Sequence, residues 1–119
     1  MRLIIITLLF PIFSFSQSYD ILFIGNSYTY YNNLPEMLSN IANAFGDSVN
    51  YDQSTPGGTS LYAHSQNQTT LNKINQQSWD YVVLQDQSQR PSLSPTYVAA
   101  SVYPYASQLV TEIQSNNLC

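Results

Sequence analysis

Ile21-Leu22-Phe23-Ile24 is apolar at every position and ends at Gly25. A strand with one face in water alternates apolar and polar residues, so a run apolar on both sides belongs to a strand covered on both faces, as in a parallel sheet. Trp79-Asp80-Tyr81-Val82-Val83-Leu84 has the same character, with β-branched and aromatic residues together, and reads as a second buried strand. Parallel strands need crossovers, and the sequence supplies helices for them. Leu34, Met37, Leu38, Ile41 and Phe45 recur at helical spacing, with Asn33 as N-cap, Pro35 in the first turn and Gly46 as stop signal. Ser48 to Asp52 reads as a further short strand, followed by irregular backbone at Ser54-Thr55-Pro56-Gly57-Gly58-Thr59. Residues 65–78 are polar apart from Leu71 and Ile74, the pattern of a surface helix on one thin apolar stripe. Val102, Ala106, Leu109, Val110 and Ile113 outline a last amphipathic helix, with Pro104 near its start or kinking it. Strands alternating with helices give an α/β domain whose parallel sheet carries helices on both faces.

The amino terminus has a different logic. Arg2 is followed by the apolar stretch Leu3 to Phe10, Pro11, and then Ser14-Phe15-Ser16 before Gln17. One basic residue, an apolar segment too short to span a bilayer of roughly 30 Å, and small residues at the spacing a signal peptidase accepts describe a signal peptide over residues 1–16. The remaining 17–119 form one domain at the small end of the usual range. The expectation is an exported protein, periplasmic or extracellular, with no stable membrane anchor once the signal is cleaved.

Charge narrows the partners. The whole chain carries −4 at pH 7, and without Arg2 about −5, leaving Lys73 and Arg90 as its cations. A nucleic-acid partner is excluded on this ground, since phosphate backbones need clustered Lys or Arg. The only cysteine is Cys119, so no disulfide forms within the chain.

In open parallel sheets ligands bind beyond the carboxyl ends of the strands. That singles out Gly25 to Tyr31, Ser54 to Ser60 and Gln85 to Pro91. Ser27, two residues past the first buried strand, is the candidate nucleophile: a serine there attacks a carbonyl if a base takes its proton and donors stabilise the oxyanion. The bland alternative is a turn serine that caps the next element. Tyr28, Tyr30 and Tyr31 cluster beside it and suit a sugar subsite, with Tyr30 or Tyr31 the better candidate for packing under the turn instead. Asn26 and Tyr28 are candidate substrate contacts.

Gly25-Asn26-Ser27-Tyr28-Thr29 directly after Ile21-Leu22-Phe23-Ile24 resembles the first block of the SGNH/GDSL hydrolase superfamily, with Asn in place of the Asp of GDS. Gly57-Gly58-Thr59-Ser60-Leu61 resembles the second block, and Trp79 to Gln85 the approach to the third, in the family's order. The resemblance implies a three-layer, flavodoxin-like α/β fold and hydrolysis of esters or thioesters, often acetyl groups on carbohydrates, with no metal or organic cofactor. It makes Ser27 the nucleophile and its own N–H one oxyanion donor, with a second N–H from Gly57 or Gly58. The family's third donor is an Asn side chain, and here Gln87 or Gln89 would have to present the amide.

The chain departs from the family at its far end. The family's base lies in a terminal Asp-x-x-His block, and nothing after Tyr105 resembles one. The expectation is therefore a domain incomplete at the C-terminus, negligible turnover by these residues alone, and a base missing from the chain. His64, the only histidine, follows the glycine loop and is placed at the mouth of the site as a substrate contact, or as a base oriented by Asp52 or Asp86. The reading from another class is a non-catalytic carbohydrate-binding module built on the same loops and tyrosines.

Overall fold

The computed structural model describes residues 16–116. The expected signal peptide lies outside the described residues, apart from Ser16 at its end. Strands β1 (Ser18–Ile24), β2 (Ser48–Ser54) and β3 (Tyr81–Leu84) form a parallel sheet in the order β2-β1-β3. Ile21 lies opposite Tyr51 on one side and Tyr81 on the other, and Ile24 opposite Ser54 and Leu84. The apolar run Ile21 to Ile24 is thus in the central strand.

Two small cores follow from its alternation. Leu22 and Ile24 face a cluster with Leu61, Ile74, Trp79 and Leu109, joined by Leu71, Val82, Leu84, Tyr105, Ala106 and Ile113. These helical residues come from α3 (Leu61–Ser65), α4 (Gln68–Ile74) and α6 (Tyr103–Asn116). Ile21 and Phe23 point the other way, to Val49, Tyr19 and Ala42 of α2 (Leu34–Ala44). Helices therefore cover both faces, and each fully buried aliphatic side chain stabilises the fold by about 1.5–3 kcal/mol.

Three expectations need correcting. The strand at Tyr81–Leu84 is covered on one side only: Val82 and Leu84 pack on the larger core while Tyr81 is 57% and Val83 39% exposed. Helix α2 is present, started at Asn33 in the left-handed region (φ 51°) and stopped before Gly46 (φ 91°), yet it meets the sheet through its small side. Pro35 is buried, Ala42 packs on Ile21 and Phe23's cluster, and the Ser39 hydroxyl donates to the Val49 carbonyl at 3.0 Å. Leu34, Met37, Leu38, Ile41 and Phe45 remain exposed. A close approach of helix to strand selects small residues at the contact, which leaves the large stripe beside it.

The third concerns residues 65–78, where a surface helix on a thin apolar stripe is expected. The helix is present but shorter, as α4, and a separate short helix, α3, precedes it. The Ser60 hydroxyl caps α3 through the Ala63 N–H, and the Asn67 side chain caps α4 through the Thr70 N–H. Ile74 is fully buried, so α4 belongs to the core. Ahead of α6 the chain also forms a short α1 (Ser27–Tyr30) and α5 (Pro95–Ser101), the latter capped by Ser94. Pro104 lies in the first turn of α6, where a missing N–H costs nothing.

Candidate functional site

The path from β1 to β2 runs over one face of the sheet through α2, and the path from β2 to β3 over the other through α3 and α4. The order therefore reverses beside β1, and in open parallel sheets ligands bind beyond the carboxyl ends of the strands at such a point. The three segments singled out from sequence meet there.

Gly25 extends the ladder, its N–H donating to the Ser54 carbonyl at 3.0 Å. A Cβ at this position would sit 2.5 Å from Thr29 Oγ1 and 2.7 Å from Gln85 Oε1, so glycine is required by close approach. Asn26 leaves the strand in an extended conformation and caps α1, its Oδ1 accepting the Tyr28 N–H at 3.2 Å. Ser27 is the first residue of α1, half-buried, with an N–H that has no acceptor inside the helix. Together with Tyr28, Tyr31 and Asn32 it lines a cavity of about 250 Å³.

Tyr28 and Tyr31 stand on one face of this turn and are 72% and 81% exposed. Tyr30 is exposed as well, so neither Tyr30 nor Tyr31 packs under the turn as expected. The Tyr30 hydroxyl reaches the glycine loop: a Cβ on Gly57 would lie 3.5 Å from it. Gly58 sits at φ 70°, a conformation that favours glycine.

What holds these loops together was not anticipated. Asn26 is 2% exposed, and its Nδ2 donates to the Thr59 carbonyl of the glycine loop at 2.9 Å and to the Asp86 carbonyl after β3 at 3.3 Å. Its backbone N–H donates to Gln85 Oε1 at 3.0 Å, which also accepts from the Thr29 hydroxyl at 3.1 Å. Gln85 Nε2 donates to the Asp86 carbonyl. Asp86 Oδ1 in turn accepts from the N–H groups of Leu61 and Gln87 at 2.9 and 2.8 Å. Asn26 is thus a buried brace, which corrects its expected role as a substrate contact. The signal that could have found Gln85 and Asp86 is a pair of polar residues placed immediately after an apolar strand whose carboxyl end faces the site.

Gln87 is half-buried and its Oε1 accepts the Gln89 N–H at 3.1 Å, while Gln89 is exposed. Arg90 fixes the far end of this loop, with Nη2 donating to the Ser101 carbonyl at 3.2 Å and the guanidinium 5.7 Å from the centre of the Tyr97 ring. Lys73 pairs with Asp52 at 2.5 Å. Neither cation of the described residues lines the cavity at Ser27.

His64 is the largest departure from expectation. It has no exposed surface. Nε2 lies 2.8 Å from the Gly25 carbonyl and Nδ1 2.9 Å from Thr70 Oγ1, which is 2.9 Å from Ser54 Oγ. A carbonyl only accepts, so Nε2 carries the proton, Nδ1 accepts from Thr70, and Thr70 accepts from Ser54. The Gly25 N–H to Ser54 carbonyl bond closes these contacts into a ring. Burial pushes the imidazole pKa below 6.5, against the opposing pull of the Gly25 carbonyl and the Asp86 charge. His64 is consequently a neutral core residue under the turn at Ser27, neither at the mouth nor free to accept a proton from Ser27.

No family model, curated protein or solved structure matches the chain. Among the described residues no helix is long and apolar enough to cross a membrane.

Proposed function

We propose that this chain carries the nucleophile and oxyanion side of an exported serine ester hydrolase of the SGNH/GDSL type, on a flavodoxin-like fold, acting on a neutral ester such as an O-acetylated carbohydrate. The observation that carries the reading is the placement of Ser27. It stands on the first turn of a helix at the carboxyl end of the central strand, beside a cavity lined also by Tyr28, Tyr31 and Asn32, on a turn that Asn26 ties to the glycine loop and to the loop after β3. Ser27 Oγ would bond the acyl carbon while its proton passes to a base; the alcohol would leave with a proton as the carbonyl re-forms, and water would then release the acid. The N–H of Ser27 and one from Gly57 or Gly58 would hold the oxyanion, with Gln87 or Gln89 as third donor. Aromatic faces, phenolic hydroxyls and the Asn32 amide, with no cation at the cavity, favour an uncharged, hydroxyl-bearing alcohol over a carboxylate or phosphate.

The reading requires a base beside Ser27, a role that His64, the one histidine of the sequence, does not fill because it is sequestered. Free imidazole can stand in for it. The 119-residue chain incubated with a fluorophosphonate and imidazole should form one adduct, with a new Ser27 O–P bond and fluoride released, and Ser27→Ala should form none. Labelling that is absent with imidazole, or that persists in Ser27→Ala, refutes the proposal. The sequestered histidine favours one alternative, a non-catalytic saccharide-binding module. It is supported if an oligosaccharide binds both chains equally and neither is labelled.

A further inference from the structure

Resting on that reading, the structure assigns Asn26 as the positioning residue of the site, in which the amide, rather than the acid of the family's first block, is what the geometry demands. Three segments must hold fixed positions for an oxyanion to find its donors: the turn at Ser27, the glycine loop and the loop after β3. Asn26 touches all of them with one side chain. Oδ1 accepts the Tyr28 N–H, and the same Nδ2 donates to Thr59 O and Asp86 O.

Both outer partners are carbonyl oxygens, which only accept. A carboxylate at position 26 would keep the cap on α1 and turn an oxygen toward Thr59 O and Asp86 O, replacing two attractions with two repulsions. Asn26 is 2% exposed, so water cannot relieve the conflict. The role is one of placement, since the side chain is too enclosed to touch a substrate. The adjoining contacts point the same way: Gln85 holds the Asn26 N–H, and Asp86 ties Leu61 N–H to Gln87 N–H. Loosening Asn26 therefore frees the glycine loop and the loop after β3 together.

The test compares wild type, Asn26→Asp and Asn26→Ser in the full chain. Serine keeps a hydroxyl acceptor to cap α1 but lacks the amide donor, so it separates capping from bracing and serves if the aspartate variant does not fold. Imidazole-assisted fluorophosphonate labelling, followed against reagent concentration, separates the maximal rate from the half-saturating concentration. Each folded variant should lose about a hundredfold in maximal rate, the scale of a misplacement of roughly 1 Å, with half-saturation unchanged. Amide hydrogen exchange should show faster exchange at Gly57 to Leu61 and Gln85 to Gln87 together, while α6 keeps wild-type protection. Variants that label at the wild-type rate, or in which the two loops keep wild-type exchange, overturn the assignment. If wild type itself is not labelled, the hydrolytic reading fails, and the exchange experiment alone decides whether Asn26 is the brace.

Discussion

Replacing His64 by Phe tests the buried ring of hydrogen bonds under the turn at Ser27. Phe fills most of the space but offers no hydrogen bond to the Gly25 carbonyl or the Thr70 hydroxyl, which lie 2.8 and 2.9 Å from the imidazole nitrogens. Leaving a buried polar group unpaired costs about 1–3 kcal/mol. Thr70 can still bond Ser54, so the full penalty falls on Gly25 O, and the overall loss should be about 2–4 kcal/mol once the extra bulk of Phe is included. The wild type should also show a pH signature that the variant lacks. Burial holds the folded-state pKa of His64 below 6.5. The unfolded chain therefore binds the proton more readily, and the stabilisation is complete above pH 6.5 and lost as the pH falls through the folded-state value. One such group changes stability by at most about 1.4 kcal/mol per pH unit. Urea denaturation of both chains from neutral pH down to about pH 5, above the main carboxylate range, measures this directly. A His64→Phe chain as stable as wild type, or a wild-type midpoint that does not move over that range, would refute the account.

Two further substitutions probe neighbouring features. Gly25→Ala should cost several kcal/mol in urea denaturation, because its methyl would lie 2.5 Å from Thr29 Oγ1 and 2.7 Å from Gln85 Oε1 and must displace both. Lys73→Met should change the urea midpoint little, by under about 1 kcal/mol, since the Lys73–Asp52 pair is partly exposed at 26% and 31% and screened by water.

That β1 is a buried strand, and that the loops after the strands converge at its carboxyl end, are legible from the apolar run Ile21 to Ile24. The order of strands is not: Tyr81–Leu84 has a similar run and lies at an edge with one face exposed. The helix at Leu34–Ala44 is equally legible as a helix, but not its orientation: spacing shows which residues share a face, and the sheet contact chose Pro35, Ser39 and Ala42 instead. Helix α1 reads as a polar turn because four residues carry no period. The break between α3 and α4 is written in Ser60 and Asn67, which cap two starts where the apolar pattern suggests one. At the site, Ser27 and the glycine loop are placed by local rules, strand followed by glycine and glycine pair. His64 and Asn26 are not, because the partners of each lie far along the chain: Gly25 for His64, and Thr59 and Asp86 for Asn26. A lone polar residue in sequence gives no sign of which distant carbonyl it will satisfy.

The central position of β1 has a consequence for how the chain is made. The earliest of the three described strands pairs on one edge with Ser48–Ser54 and on the other with Tyr81–Leu84. Its most buried residues, Leu22 and Ile24, find their cover in Leu61, Ile74 and Leu109. Until α6 exists, the cover over these two residues is incomplete, with Leu109 missing from it. The nascent chain carries this open apolar surface until Leu109 has been made, and the same long-range pairing makes refolding from denaturant slow and concentration-sensitive.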